Sequence, residues 1–225
     1  MSTCIEIRQL TKLYHAGPNE VRALDNVSLE IGQGDFVALM GPSGSGKTTL
    51  LNIIAGIDHA TSGTVSVEGT DIAALSESAK ARWRTRSIGY IFQFYNLLPV
   101  LTAYENIELP LLLLPLTKAQ RHDHVMAALE AVSLIDRRDH YPRQLSGGQE
   151  QRAAIARALV TDARILVADE PTGNLDAENE HEIMALLRRL NTQFAKTMLM
   201  VTHDAEAAAF ANRIVRLEKG SIKNN

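Results

Sequence analysis

The sequence lacks the features that mark disulfide-stabilised and nucleic-acid-binding proteins. Cys4 is its single cysteine, so no disulfide can form within the chain, and a reducing compartment is compatible with it. We expect Cys4 to be a small apolar residue of a first strand. The formal net charge is −3, and acidic and basic residues are mixed along the whole chain, which leaves no basic footprint for nucleic acid.

Long apolar runs are also missing. The most apolar stretch, Leu109–Leu116, is far shorter than the roughly 20 residues of a membrane-spanning helix, and Pro110 and Pro115 interrupt it. The beginning of the chain, MSTCIEIRQL, does not have the charged-then-apolar layout of a signal peptide. We therefore expect a soluble chain whose link to a membrane comes through a partner.

What the sequence does contain is the strand and helix pattern of an α/β protein. Apolar residues alternate with polar ones at Ile5 and Ile7 and again over Val27–Ile31, which predicts half-buried antiparallel strands. Continuous apolar runs predict strands covered on both faces at Phe36–Met40, Ile165–Ala168 and Met198–Val201. Helical patterns follow these runs at Thr48–Ala55, His181–Leu190 and Ala205–Ala211. This alternation favours one α/β domain with a parallel sheet and crossover helices.

The strand signal disappears between Tyr95 and Val160. Two stretches of this region, Ala119–Val132 and Gln149–Val160, have helical patterns instead. We predict that residues 95–160 form a helical subdomain. It would be inserted in an α/β core made of residues 1–94, which include an N-terminal antiparallel β subdomain, and residues 161–225.

The stretch Gly41–Thr48 matches the phosphate-binding pattern G-x-x-x-x-G-K-[ST]. It follows the run Phe36–Met40 and precedes a helical pattern, which is the context that this pattern requires. Its glycines let backbone N–H groups converge on phosphate oxygens, and the helix N-terminus adds partial positive charge. We predict that Lys47 contacts the β- and γ-phosphates of ATP and that the Thr48 hydroxyl ligates Mg²⁺. The predicted phosphate-binding set is Gly41, Pro42, Ser43, Gly44, Ser45, Gly46, Lys47, Thr48 and Thr49.

Two carboxylates end the apolar stretch ILVADE. Asp169 stands where a strand tip holds Mg²⁺ in P-loop nucleotidases, directly or through water. Glu170 is expected to point the other way, because side chains alternate along an extended chain. It would then activate the attacking water as general base.

Two further polar residues follow apolar stretches. His203 ends the stretch MVTH and, in a parallel sheet, lies at the same edge as Lys47 and Asp169, where it would contact the γ-phosphate. Gln93 follows the apolar residues IGYIF and would contact Mg²⁺ or the attacking water.

A second glycine-rich helix start occurs at QLSGGQEQRAAIARAL. Ser146 and Gln149 have the spacing of a capping box, but this does not explain Gly147 and Gly148, which weaken a helix and leave its backbone bare. Bare N–H groups at a helix start form an anion site. Because the P-loop already encloses one nucleotide's phosphates, we predict that these four residues contact the ATP of a partner chain in a head-to-tail C₂ homodimer.

Together these residues resemble the nucleotide-binding subunit of ABC transporters over essentially the full chain. The matching motifs are Walker A at Gly41–Thr48, the Q-loop at Gln93, the signature at Leu145–Gln149, Walker B at Ile165–Asp169, the catalytic Glu170 and the switch His203. The resemblance implies the ABC ATPase fold and ATP hydrolysis with Mg²⁺ held by Thr48, Gln93 and Asp169. It also implies that Asp176, in the D-loop NLD, lies at the dimer interface and that Tyr14 stacks on adenine.

A narrower likeness is carried by FQFYNLLPVLTAYEN, DEPTGNLD and MGPSGSGKTTLLNIIAG, which look like the LolD/MacB type of lipoprotein release and macrolide or peptide export. Glu150 and Ala163 depart from that pattern, where glutamine and proline are usual. MacB-like chains carry fused membrane segments, and this sequence shows none. We therefore expect a separate subunit at the cytoplasmic face of the plasma (inner) membrane. We expect a membrane permease subunit to dock near Tyr95–Leu101, whose apolar residues follow neither a helix nor a strand period.

Two alternatives stay open at this point. An FtsE-like chain would use the same ATP cycle to drive a membrane partner as a mechanical signal, without cargo. A soluble ABC ATPase acting on DNA or ribosomes would show a coiled-coil insertion, a second cassette or a basic surface, and the sequence has none of these. The cargo is not encoded in this chain, because cargo contacts would lie in the membrane subunit.

Overall fold

A computed structural model describes residues 2–17 and 19–223 of the chain. The outermost residues of the predicted domain range, 1, 224 and 225, therefore lie outside the described residues. Ten strands are present in this part of the chain: β1 (Thr3–Ala16), β2 (Asn19–Gly32), β3 (Phe36–Met40), β4 (Ser62–Val67), β5 (Thr70–Asp71), β6 (Ile88–Ile91), β7 (Ile165–Asp169), β8 (Thr197–Thr202), β9 (Arg213–Glu218) and β10 (Ser221–Lys223).

The described residues form seven α-helices: α1 (Lys47–Ile54), α2 (Glu77–Ser87), α3 (Ala103–Glu108), α4 (Lys118–Ala131), α5 (Gly147–Leu159), α6 (Ala177–Phe194) and α7 (Ala205–Ala208). Short 3₁₀ helices lie at Leu109–Leu113, Ile135–Arg137 and Pro142–Gln144. In the part of the chain that the structure covers, no helix combines the length and apolar character needed to cross a membrane.

The N-terminal strands form an antiparallel sheet in the order β2-β1-β4-β5. Its alternating apolar residues point inward, and Ile5, Ile7 and Ile31 are fully or almost fully buried. The predicted antiparallel β subdomain strands are therefore present. Cys4 is buried in β1, and burial raises the pKa of its thiol, as expected of a small apolar residue rather than a nucleophile.

The second sheet has the order β10-β9-β3-β8-β7-β6, and every pair from β9 to β6 is parallel. The predicted runs Phe36–Met40, Ile165–Ala168 and Met198–Val201 all lie in its central strands, covered on both faces. Because the strands are parallel, their carboxyl ends meet at one edge of the sheet. The carboxyl ends of β3, β6, β7 and β8 therefore lie side by side at this edge.

Residues 95–160 contain α3, α4, α5 and the 3₁₀ helices, and no strand within that described range. Pro110 is at the start of the 3₁₀ helix Leu109–Leu113, which buries only Leu111 from the apolar stretch. Helix α7 is shorter than the predicted Ala205–Ala211. It ends at Ala208 because the following turns are closed by hydrogen bonds between residues three positions apart. These bonds run from Phe210 N–H to Ala207 O (3.2 Å) and from Ala211 N–H to Ala208 O (3.1 Å).

Candidate functional site

The predicted P-loop connects β3 to the first turn of α1. The Lys47 ammonium lies over the loop and donates to the carbonyl oxygens of Gly41 (2.8 Å) and Pro42 (3.0 Å). The N–H of Ser45 donates to Pro42 O at 3.2 Å, which closes the loop into a tight turn. A positive side chain, the start of a helix and a bent backbone therefore meet at one place.

Glycine is required at two of the loop positions for different reasons. A Cβ on Gly41 would lie 2.0 Å from the carbonyl oxygen of Leu217. Gly46 has a φ of +100°, and a Cβ there would lie 2.3 Å from Ala23 O. The loop is thus packed against the neighbouring strands by close backbone contact, which only glycine allows.

The two carboxylates that end β7 face different neighbours. Asp169 Oδ1 accepts a hydrogen bond from the Thr48 hydroxyl at 3.2 Å. Burial raises the pKa of Asp169, and the charge of Glu170 adds to this rise, whereas Thr48 and Lys47 oppose it. The carboxylate of Asp169 therefore lies beside the P-loop with little solvent to stabilise its charge.

Glu170 directs its carboxylate to two polar side chains from neighbouring strands. Its Oε2 accepts from Gln93 Nε2 at 3.3 Å, and its Oε1 lies 3.1 Å from His203 Nδ1. The structure corrects the reason given above for this direction. Glu170 is not extended; its φ of 45° is left-handed, so a backbone turn rather than strand alternation separates it from Asp169.

A cavity of about 460 Å³ lies over the P-loop, and Gln93 and Glu170 line its far wall. Three of its lining residues were missed by sequence reasoning: Val21, Arg22 and Ala23 of β2. They come from the antiparallel sheet, and no motif or spacing connects them to the P-loop.

Tyr14 lies outside the lining of this cavity. Its hydroxyl donates to Asp58 Oδ2 at 2.6 Å and is 3.5 Å from Thr49 Oγ1, and Lys12 Nζ lies 4.6 Å from the ring centroid. The ring is partly exposed beside α1. Its hydroxyl is thereby fixed near the phosphate-binding set, through Thr49.

The second glycine-rich segment does not reach the P-loop cavity of its own chain. Ser146 accepts from the Gln149 N–H at 3.3 Å, and Gln149 Oε1 accepts from the Ser146 N–H at 3.0 Å, so the capping box is present. Ser146, Gly148 and Gln149 instead line a separate cavity of about 390 Å³. One chain thus carries two glycine-rich helix starts that face different cavities.

Gly148 of this segment also has a packing reason that the sequence did not reveal. A Cβ on Gly148 would lie 2.1 Å from Asn179 Oδ1 and 2.8 Å from its Cγ, so the Asn179 side chain could not keep its position. Asn179 is in turn held by Asp176, whose carboxylate accepts from the Asn179 backbone N–H at 2.9 Å and so caps α6. These hydrogen bonds lower the pKa of Asp176.

No cluster of three or more histidine, cysteine, aspartate or glutamate residues suited to a metal is found in residues 2–17 and 19–223. The oxygen groups beside the P-loop, the Thr48 hydroxyl and the Asp169 carboxylate, are of the type that Mg²⁺ prefers, together with phosphate and water. The donor set therefore suits a metal that is held jointly with a nucleotide.

Comparisons with known proteins identify the family of the chain. The family model described as ABC transporter matches residues 24–173. The lipoprotein-releasing system ATP-binding protein LolD of Bordetella pertussis is 43% identical over 97% of this chain and 95% of its own length. The macrolide export ATP-binding/permease protein MacB of Shigella flexneri is 44% identical over 100% of the chain, which spans only 35% of that protein.

A solved structure, the dimeric post-hydrolysis state of the ATP-binding cassette MJ0796 bound to ADP and Pi, is also similar. It has a TM-score of 0.90 and 41% identity and covers 98% of this chain and 97% of its own. The ABC ATPase fold expected from the sequence is thereby confirmed. The chain belongs to the ABC transporter family, in which it is an ATP-binding and ATP-hydrolysing cassette.

Proposed function

We propose that two copies of this chain bind two ATP molecules head to tail and hydrolyse them to drive a membrane permease in export or lipoprotein release. The observation that carries the proposal is the presence of two glycine-rich helix starts that face different cavities on one chain. A head-to-tail dimer brings the P-loop of one copy to the Ser146 segment of the other. The place of action would be the cytoplasmic face of the plasma (inner) membrane, where the ATP-binding chain would meet a permease such as the one named in the MacB relative.

The P-loop would hold the triphosphate of ATP. Backbone N–H groups of Gly41–Thr48 surround the phosphates, and Lys47 turns from its loop carbonyls to the β- and γ-phosphates. Tyr14 would supply an aromatic face for adenine at the side of Thr49.

Thr48, Asp169 and Gln93 would hold Mg²⁺ at the edge of the sheet. The Thr48 hydroxyl and the Asp169 carboxylate are already within 3.2 Å of each other, and Gln93 is joined to the same edge through Glu170. When bound, the metal neutralises charge that develops on the phosphate oxygens.

Glu170 would take the proton of the attacking water. The oxygen of that water forms a bond to the γ-phosphorus, the bond to the bridging oxygen breaks, and ADP leaves. Gln93 and His203 hold the carboxylate in place from two sides. His203 Nδ1 lies 3.1 Å from Glu170 Oε1, and its other ring nitrogen would contact the γ-phosphate.

The Ser146 segment would close the site of the partner copy. Its glycines leave the first turn of α5 open to an anion, and the Ser146 hydroxyl and Gln149 lie at the same helix start. Asp176 caps α6 beside this segment, where the two copies would meet.

Mixed dimers test the exchange of sites between the two copies. In a dimer with Lys47→Ala on one chain and Ser146→Arg on the other, both changes fall in one composite site, so we expect about half of the wild-type phosphate release. With both changes on one chain each site is damaged, and we expect nearly complete loss. The measurement is the rate of phosphate release by dimers purified with two different tags.

A matched control separates this effect from loss of a helix cap. Thr117 caps α4 with Gln120 in the same capping-box geometry, at 3.3 Å and 2.9 Å, but lies away from both cavities. Thr117→Arg in place of Ser146→Arg should give equal rates in the two arrangements. Equal rates for Ser146→Arg would reject its action on the partner's ATP.

The docking segment, defined as Tyr95–Leu101, supports coupling to a membrane partner. Phe94 beside it is 70% exposed, and Leu98 and Val100 are 47% and 77% exposed, so an apolar surface faces outward next to Gln93. A groove of about 180 Å³, lined by Phe92, Pro110 and Arg157 among others, lies nearby. An amphipathic cytoplasmic helix of the permease would fit such a surface.

This segment is fixed to the rest of the molecule by hydrogen bonds to its backbone. Arg157 of α5 donates to the carbonyl oxygens of Tyr95 (2.7 Å) and Asn96 (2.5 Å), both in left-handed conformations. Asn174 donates to Gln93 O at 3.0 Å. A change at the nucleotide would therefore reach the docking surface through a few residues.

Tyr95→Ala combined with Leu98→Ala tests the docking surface. Because both side chains are at least partly exposed and the segment is held by its backbone, we expect a folded chain that hydrolyses ATP within about two-fold of wild type. Assembly with the membrane partner should fall at least about ten-fold, measured by co-purification from membranes, and transport should be lost.

Phe194→Ala with Ile214→Ala is the matched control, since both residues are exposed apolar side chains on α6 and β9 of the α/β core. This pair should leave assembly unchanged. Unfolding of the Tyr95 and Leu98 variant would mean that these residues belong to the core of the helical subdomain. Normal assembly and transport would place the docking surface elsewhere.

A further inference from the structure

Gln151 is a fully buried glutamine of α5 that connects this helix to the turn after β7. Its Nε2 donates to the carbonyl oxygen of Pro171 at 2.6 Å. Pro171 directly follows Glu170 and is itself buried. Within residues 2–17 and 19–223, the Gln151 amide is the hydrogen-bond donor to this carbonyl.

Stability alone does not favour glutamine at this position. Gln151 Oε1 is buried and has no hydrogen-bond partner in the described part of the chain. A buried polar atom without a partner destabilises a fold, and methionine would only exchange one such atom, Gln151 Oε1, for another, the Pro171 carbonyl oxygen. The amide cannot simply be reversed, because its oxygen would then face the Pro171 oxygen. The contribution of this residue is therefore the N–H that it directs at Pro171.

The backbone at Glu170 needs such support. A non-glycine residue with a φ of 45° occupies a sparsely populated region, which persists only where the surroundings hold it. The Glu170 N–H donates to Val201 O at 2.9 Å, and its carbonyl accepts from the Gly173 N–H at 3.1 Å. These bonds fix the peptide groups on either side of Glu170, but neither fixes the next peptide, whose carbonyl is that of Pro171.

We infer that Gln151 is a positioning residue for hydrolysis, which holds the turn after β7 so that the Glu170 carboxylate faces Gln93 and His203. The inference rests on the proposed role of Glu170 as general base. Without the bond to Pro171, the turn relaxes from its left-handed conformation. The Glu170 carboxylate then no longer faces the position of the attacking water. Binding of ATP, which depends on the P-loop, is not affected.

Gln151→Met is the first test, measured as the rate of ATP hydrolysis at varied ATP concentration. We expect kcat to fall about ten-fold or more and KM for ATP to stay within about two-fold. Tm should stay close to the wild-type value, because the loss of the bond to Pro171 and the removal of the unpaired Oε1 have opposite effects on stability. Asn191→Leu is the matched control, because Asn191 is also a buried amide that donates to backbone carbonyls, those of Gly34 and Lys196 at 2.8 Å. It should lower Tm and leave kcat unchanged. An unchanged kcat for Gln151→Met would overturn the inference.

A double-variant cycle shows whether Gln151 acts through Glu170. Gln151→Met should reduce hydrolysis in the wild-type background but cause no further loss in the Glu170→Gln background. Equal fold losses in both backgrounds would mean that Gln151 acts independently of Glu170, against the inference. Glu170→Gln that retains turnover on its own would instead reject the base role of Glu170, and the inference with it.

Gln151→Glu keeps the shape of the side chain and covers the case in which the methionine variant does not fold. Its carboxyl group can donate to Pro171 only when it is protonated. The activity of this variant relative to wild type should therefore rise as the pH is lowered from about 9 to about 6.5, as expected for a donor that is regained. A ratio that is flat or falls over this range would contradict the inference.

Discussion

Lys47→Ala is expected to reduce ATP turnover by about 10²- to 10³-fold, the loss typical of removing one preorganised charge from a transition state. The Lys47 ammonium is held within 3.0 Å of two P-loop carbonyls at the start of α1. The substitution removes the cation that would contact the β- and γ-phosphates, and it also removes two hydrogen bonds that shape the loop. Phosphate release at saturating ATP measures the effect.

Lys118→Ala is a suitable control, because it removes one positive charge from an exposed position at the start of α4. It should leave phosphate release unchanged. The Lys47→Ala chain must also retain its far-ultraviolet circular dichroism, since Lys47 is buried. A folded Lys47→Ala chain with near-normal hydrolysis would reject the assignment of the phosphate-binding loop.

The grouping of site residues at the edge of the parallel sheet was predictable because local sequence patterns specify it. The apolar run of β3 ends directly before the P-loop, and those of β7 and β8 end directly before the polar residues Asp169 and Thr202. Parallel pairing then brings these ends together without further knowledge of the fold. The pairings Met40 with Thr202 and Asp169 with Val201 have this effect. The short distances from Thr48 to Asp169 and from Glu170 to His203 follow from it.

Elements without an apolar period were not predictable in the same way. Helix α2, with the sequence ESAKARWRTRS, buries only Lys80, whose ammonium meets His59 Nε2 at 2.8 Å and Glu77 Oε1 at 3.1 Å. Such a helix is stabilised by polar contacts with a distant loop, and no apolar period in its sequence indicates them. Strand β9 was missed because it is largely exposed, and β10 was missed because it has only three residues.

The details of the site that escaped prediction depend on contacts between distant segments. Three such details are the left-handed backbone of Glu170, the contact of Gly148 with Asn179 and the bond from Gln151 to Pro171. Each depends on residues from separate elements. The sequence indicated which residue types the chemistry needs, but not the supports that orient them.

Glu170→Gln is expected to keep ATP binding and to lower hydrolysis by about 10²- to 10⁴-fold, the range found for general-base removal. An amide has the shape of the carboxylate and can still contact Gln93 and His203, which lie 3.3 Å and 3.1 Å from Glu170. It lacks the basicity needed to take a proton from water. Bound ATP should then persist and hold two chains together, so size-exclusion chromatography with ATP·Mg²⁺ should show a dimer.

Two variants make this outcome specific to the nucleotide. Adding Lys47→Ala to Glu170→Gln should abolish the dimer, because the P-loop would no longer hold the ATP that joins the two copies. Glu108→Gln, which removes a carboxylate paired with Arg121 at 2.8 Å in the helical subdomain, should hydrolyse ATP as wild type does and show no trapped dimer. A Glu170→Gln chain that binds ATP and stays strictly monomeric would contradict the shared site, and one that hydrolyses ATP normally would remove Glu170 from the chemistry.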